Sequence, residues 1–251
     1  MLTDLTMILK PEKDAVDYHQ SSNLQGVLME NVDSDYASYL HQLGLNPYSQ
    51  AVTAINEWHV RTTTEESYAK IILPLMSDHF DSFIIKKDQK IEIQEKRLTT
   101  VKRRSLMDEF CDSPCGKKFT IQFQTPASFK VRGRYWNMPD IRLILQSLMK
   151  KYSADGNEEL ADEAVLEQLI EAYEPNRYSL RSTVFPIEGI VIPSFMGSLS
   201  FRMAGSETMA RYVRLLLHFG EFSGLGIKSA MGMGSIKWQG DEKIDRSHNI
   251  L

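Results

Sequence analysis

Cysteine is nearly absent: Cys111 and Cys115 are the only two in 251 residues. A pair with three residues between them and no histidine nearby makes a poor zinc site, so both are expected to be free thiols, buried or partly exposed. No apolar run approaches the ~20 residues that span a bilayer. The N-terminus lacks a basic-then-apolar secretion signal. These two absences lead us to expect a soluble, cytoplasmic protein with no membrane partner. The six histidines include no His-x-x-x-His or Glu-x-x-His pairing, so neither a metal nor a cofactor is expected. There is no low-complexity tract, and no repeat relates the two halves.

What is present is long enough to bury a full core, as one large domain or two of about 100–130 residues. Net charge is −4, which taken alone argues against a polyanionic partner. The distribution matters more than the sum. Residues 1–85 carry 12 acidic and 4 basic side chains, residues 86–134 carry 6 and 13, and residues 135–251 carry 15 and 12. The middle segment is therefore +7 inside an acidic chain, and it contains Lys102-Arg103-Arg104 and Lys130-Val131-Arg132-Gly133-Arg134. It reads either as a solvated charged face or as one confined groove for a polyanion. Residues 155–174 hold eight acids and no base, a solvated face that would also repel a polyanion.

Periodicity points to α+β. Residues 2–9 alternate loosely as a strand. Residues 14–31 and 33–43 read as two helices split at Asp33, whose side chain caps the second, with Gly44 ending it. Residues 49–63 form a β-rich run around Trp58-His59-Val60. Residues 64–76 read as a helix capped by Thr64, and residues 82–87 and 90–101 as a strand pair around Asp88-Gln89. That order suits a ferredoxin-like unit. Ser113-Pro114-Cys115-Gly116 is a boundary, giving units at 1–113 and 114–251. In the second unit, 118–124 reads as a strand, 139–152 as a helix with Pro139 near its first turn, 153–157 as a loop and 158–173 as an acidic helix. Residues 181–192 and 197–203 read as strands, 207–222 as a helix capped by Ser206, and 234–238 as a closing strand. From about 239 a polar tail is expected to fray. The expected fold is α+β, two tandem ferredoxin-like (RRM-like) domains with a C-terminal glycine-rich loop.

That loop is the most informative segment. Gly224-Leu225-Gly226-Ile227-Lys228-Ser229-Ala230-Met231-Gly232-Met233-Gly234 places two Gly-x-Gly pairs around one lysine. Glycine lets the backbone take φ > 0 and lie against a ligand. Its N–H groups can then face an anion, with Lys228 adding a point charge. The order, helix then loop then strand, is the reverse of a dinucleotide or P-loop fingerprint. Without a ligand, the same pattern makes a tight connection where backbone packs on backbone.

The segment resembles the glycine-rich loop of the RAMP superfamily of CRISPR proteins. It is most similar to the stand-alone endoribonuclease that processes CRISPR repeat RNA in type III-A (Csm-type) systems. Further segments carry the resemblance in the expected order. Residues 33–48, with Leu40-His41-Gln42-Leu43-Gly44, resemble the family's histidine segment, and Pro193-Ser194-Phe195-Met196-Gly197 its Pro-x-Phe-x-Gly strand. Residues 124–130 and 142–148 are similar to family segments too. The resemblance implies the tandem fold, CRISPR repeat RNA as partner, transient contact with a type III effector complex, and metal-independent cleavage by 2′-OH attack on the adjacent phosphate. The products would be a 2′,3′-cyclic phosphate and a 5′-hydroxyl.

His41 aligns with the family's histidine and is the expected catalytic residue. On its helix, Tyr36, Tyr39, Leu40 and Leu43 form an apolar stripe, and His41 lies about 100° from Leu40 on the flank. It also sits in the last turn, where the helix dipole favours its protonated form. Whether it takes the 2′ proton or gives one to the leaving oxygen stays open. Some members add a tyrosine on the preceding helix and a lysine soon after the histidine. Here Leu28-Met29 stands at the tyrosine's place, and no lysine follows before Lys70. Candidate charge stabilisers are Lys130, Arg132, Arg134, Lys228 and the hydroxyls of Tyr48 and Ser49. The RNA-binding set is expected to be Gly224, Gly226, Lys228, Gly232, Gly234, Lys130, Arg132 and Arg134. His59 reads as sheet surface and His218 as helix packing or an RNA contact; His19, His79 and His248 read as solvent groups. The rival function is a RAMP-type subunit that holds repeat or guide RNA without cutting it.

Overall fold

The first strand follows from alternation: Leu5, Met7 and Leu9 are buried, while Asp4, Thr6 and Ile8 between them are half-buried. The computed structural model describes residues 1–85, 89–154, 162–187 and 189–240. Strand β1 (Leu2–Pro11) is central to a sheet of order β2-β3-β1-β5-β4, with β2 at Tyr48–Ala54, β3 at Glu57–Thr62, β4 at Ser82–Ile85 and β5 at Gln89–Val101. Every pairing is antiparallel. The β-rich run at 49–63 is therefore two strands, folded back at Asn56, which takes φ 62°. With that correction the order around β1, β2, β3 and β5 is the βαββαβ of a ferredoxin-like unit.

Helices α1 (Ser21–Glu30) and α2 (Ser34–Gln42) cover one face of the sheet. The first begins later than residue 14, after a short 3₁₀ turn that Asp17 caps. The Asp33 cap forms as expected, its side chain accepting from Asp35 and Tyr36 N–H. Gly44 does not close α2; Leu43 does so in an extended conformation. Thr64 caps a helical run made of α3 (Glu65–Ser67), a π turn (Tyr68–Ile72) and α4 (Leu73–Met76).

The second sheet has order β11-β6-β10-β9, again antiparallel, the βαββαβ order once more. Its strands are β6 (Lys118–Ala127), β9 (Tyr173–Ile187), β10 (Ile190–Met203) and β11 (Ile236–Gly240). Two expectations shift here. The strand expected at 181–192 belongs to two strands of one hairpin that turns at Gly189, and the closing strand starts at Ile236 rather than 234. A small hairpin, β7 (Phe129–Val131) and β8 (Arg134–Trp136), follows β6. Helix α6 (Ile141–Ala154) and helix α8 (Glu207–Ser223, capped by Ser206) fill the second core, with α7 (Glu163–Glu171) beside them. The loop expected at 153–157 and the start of the acidic helix fall largely outside the described residues, as do most of the polar tail and His248. Helix α5 (Arg103–Asp112), not anticipated from sequence, packs on α8. The second core also takes in Leu2 from β1. Among the described residues, no helix is long and apolar enough to cross a membrane. Cys111 is exposed, Cys115 is buried, and both are free thiols.

Candidate active site

His41 stands exposed in the last turn of α2. Tyr36 and Leu40 are buried beneath it and Leu43 is half-buried, but Tyr39 is 48% exposed. The stripe is therefore narrower than its spacing suggested, and Tyr39 joins His41 on the surface. Residues 43–47 lead from α2 into β2. The Pro47 carbonyl at that entrance accepts the Thr63 N–H at 3.0 Å and the Ser67 hydroxyl at 3.2 Å, which anchors the connection. Strand β2 then lies against a 3₁₀ turn, Ser229–Met231, inside the glycine-rich loop. Ala230 of that turn packs into the first core. The loop thus connects the histidine's half of the molecule to the second sheet.

The glycines serve close approach, but to protein. Gly224, Gly226, Gly232 and Gly234 all have φ between 66° and 108°. A Cβ on Gly226 would strike the Ser128 carbonyl, one on Gly232 the Ser21 side chain, and one on Gly234 the Leu225 carbonyl. The expectation that their N–H groups face an anion is corrected by the hydrogen bonds. Gly224 N–H donates to Gly220 O (2.9 Å), Gly226 to Ser147 Oγ (2.9 Å), Gly232 to Ser229 O (3.3 Å) and Gly234 to Pro126 O (2.9 Å). What the loop offers to solvent is Lys228, exposed on a left-handed residue with φ 58°. Its carbonyl takes the Met231 and Met233 N–H groups at 2.9 and 3.2 Å, which hold the turn.

The basic run meets this loop directly. Ile227 N–H donates to Ser128 O at 3.1 Å, and the Ser128 hydroxyl donates to Trp136 O at 3.2 Å. The β7–β8 hairpin is thereby rooted on the glycine loop, turning through Arg132 (φ 48°) and Gly133 (φ 81°). Lys130, Arg132 and Arg134 are all exposed on it, beside Tyr135 and Trp136 at 40% and 45% exposure. Three other bases of the +7 segment are engaged elsewhere in the fold. Arg103 stacks over the Tyr152 ring at 4.3 Å and donates to Tyr152 O at 2.7 Å; Arg97 pairs with Glu95 and Lys96 donates to Ser77 O.

Two candidate stabilisers drop out. Tyr48 is 2% exposed, burial pushes its hydroxyl up to about 12, and Gln25 hydrogen-bonds it. Ser49 is buried and donates to Phe222 O at 2.6 Å. At the place of the missing tyrosine, Leu28 is in the core and Met29 packs against it. His59 does lie on the sheet, bracketed by Asp4 at 2.9 Å and Glu57 at 2.9 Å. His218 sits half-buried near Glu109, Phe222 and Trp238, a packing position on α8.

Comparison with known proteins identifies the family. The family model described as CRISPR-associated endoribonuclease Cas6 matches residues 121–236. A Streptococcus thermophilus protein of the same description is 35% identical over 232 residues, covering 90% of this chain and 92% of its own. A Mycobacterium tuberculosis protein of that description is 35% identical over 222 residues, covering 86% of this chain and 71% of its own. The chain belongs to the CRISPR-associated endoribonuclease Cas6 family. It is an endoribonuclease. Among solved structures, a Cas6 product complex superposes with TM-score 0.77 at 20% identity, covering 95% of this chain and 99% of that one. A Thermus thermophilus Cas6 gives 0.73 at 22%, covering 95% and 98%. At those identities the likeness speaks for the fold, two ferredoxin-like units.

Sequence reasoning passed over one polar residue of α6 that braces the glycine loop of this Cas6-family chain. Lys151 is 7% exposed, and its ammonium donates to Ser223 O (3.0 Å), Gly224 O (3.1 Å) and Ser229 Oγ (2.8 Å). The signal was available. Ile144, Leu148 and Lys151 fall at i, i+4 and i+7 on α6, so a lysine occupies a core position.

Proposed function

We propose that this endoribonuclease cuts CRISPR precursor RNA within its repeats, without a metal, by internal transesterification. The ribose 2′-oxygen forms a new bond to the adjacent phosphorus, and the bond to the 5′-oxygen breaks. The 2′ proton leaves and the departing oxygen gains one, giving a 2′,3′-cyclic phosphate and a 5′-hydroxyl. Because the nucleophile belongs to the substrate, the protein supplies positioning, proton transfer and stabilisation of phosphorane charge. His41 carries a proton transfer. Lys228 and the Lys130, Arg132 and Arg134 hairpin contact phosphates. The four loop glycines act as the scaffold that presents Lys228. The chain divides functionally near 113/114, with the histidine helix in one unit and the glycine loop in the other, and product RNA passes to a type III effector complex in the cytoplasm.

The observation that carries this reading is the exposed His41 one short, anchored connection away from β2, the strand on which the Lys228 turn rests. A repeat RNA with a single 2′-deoxy nucleotide at the cut site tests the chemistry. It should bind as tightly as the all-ribose RNA and remain uncut, in EDTA as in magnesium. Cleavage of the deoxy RNA, or loss of all cleavage in EDTA, would refute the mechanism.

A further inference from the structure

A lysine ammonium inside a core is costly unless several oxygens meet it. Among the described residues three meet the Lys151 ammonium, and these three belong to the end of α8 or to the glycine loop that follows. Ser223 O and Gly224 O are among the carbonyls that the helix end leaves without intrahelical donors, where a cation is also favoured by the dipole. Ser229 Oγ is different in kind, because Ser229 is the residue directly after Lys228. Lys228 holds a left-handed conformation that a residue with a Cβ takes only when its surroundings enforce it. On its N-terminal side the backbone is held by Ile227 N–H to Ser128 O, and on its C-terminal side Ser229 is 9% exposed and bonded to the Lys151 ammonium. A Met or Leu on this stripe of α6 would fill the volume without charge but could not reach those oxygens as a donor.

We infer that Lys151 is a positioning residue for RNA binding: its buried ammonium ties the end of α8 to Ser229 and so fixes the direction in which Lys228 is presented. Lys151 touches no RNA itself, and its effect on RNA passes through Lys228. The inference rests on the reading that Lys228 contacts phosphate.

A double-mutant cycle in the full-length protein tests it, with repeat RNA affinity measured across a salt series. Lys228→Ala should weaken binding on the order of threefold to fivefold, the scale of one exposed ion pair. It should also flatten the log–log salt slope by about 0.7. Lys151→Met should weaken binding and flatten the slope by the same amounts, although its side chain is buried. Combined, the two changes should be no worse than either alone. The single-turnover rate at saturating RNA should fall less than the affinity. Ser229→Ala keeps the buried charge and its carbonyl contacts, so it serves if Lys151→Met does not fold; it should shift affinity the same way by a smaller factor, and the shift should vanish in Lys228→Ala. Additive losses in the double variant, or folded Lys151→Met or Ser229→Ala with wild-type affinity and slope, overturn the positioning role. Unchanged binding by Lys228→Ala alone overturns the phosphate-contact reading beneath it.

Discussion

Gly234→Ala separates a loop shaped by protein packing from one shaped by RNA. At φ 66° the new Cβ brings the left-handed cost of roughly 1–2 kcal/mol. The contact adds to that. The Cβ would lie 2.9 Å from the Leu225 carbonyl carbon and closer still to its oxygen, in buried backbone. Relief requires opening the Leu225 N–H to Gly234 O bond, now 2.8 Å, at about 1–3 kcal/mol for a buried group left unpaired. Together these give roughly 2–5 kcal/mol, which at about 2–4 °C per kcal/mol lowers Tm by about 4–20 °C. Gly133→Ala is the control. Its φ is 81°, yet nothing lies within 4 Å of an added Cβ, so only the conformational part remains. Thermal unfolding without RNA should therefore show Gly234→Ala melting well below Gly133→Ala. Equal melting temperatures would show that the Leu225 contact is not a constraint and that the packing account of the loop is wrong.

Two further outcomes follow from groups on the first sheet. Ser49→Ala should cost about 1 kcal/mol in urea unfolding by losing its bond to Phe222 O, and should leave the cleavage rate within twofold of wild type, since that hydroxyl is engaged in the fold. Burial alone would raise the Asp4 carboxyl, but the Arg61 guanidinium and the His59 ring overcome this and hold it below the usual carboxylate range. A depressed carboxylate contributes stability above its unfolded value near 4, and that contribution is lost as pH falls through the folded value. Stability should drop below about pH 4, and Arg61→Met should flatten that drop while lowering stability at neutral pH.

Most of the fold was legible because its elements follow simple periods with capped ends. β1, the Asp33, Thr64 and Ser206 caps, and α8 all came from that logic. The elements that did not are those whose local signal is faint. The β7–β8 hairpin has three-residue strands and a turn at Arg132-Gly133 that reads as a charge cluster. Helix α5 begins in Lys102-Arg103-Arg104, where Arg103 proves to be a packing residue over Tyr152 rather than part of a groove. The N-terminal part of β9 is an exposed edge strand and lacks the alternation that burial imposes. The loop glycines were legible as sites of close backbone approach. Sequence could not say what approaches them, because φ > 0 and a missing Cβ suit a carbonyl of the same chain as well as a phosphate. His41 was reachable only through the family resemblance, since an exposed histidine at a helix end carries no local signature of chemistry.

The most direct measurement is the single-turnover cleavage of repeat RNA by His41→Ala beside the wild-type protein, in EDTA, with affinity measured on the same RNA. The rate should fall by roughly 10²–10⁴, as expected for a lost general acid or base, while affinity stays within about twofold. Cleavage at the wild-type rate by His41→Ala would contradict the assignment.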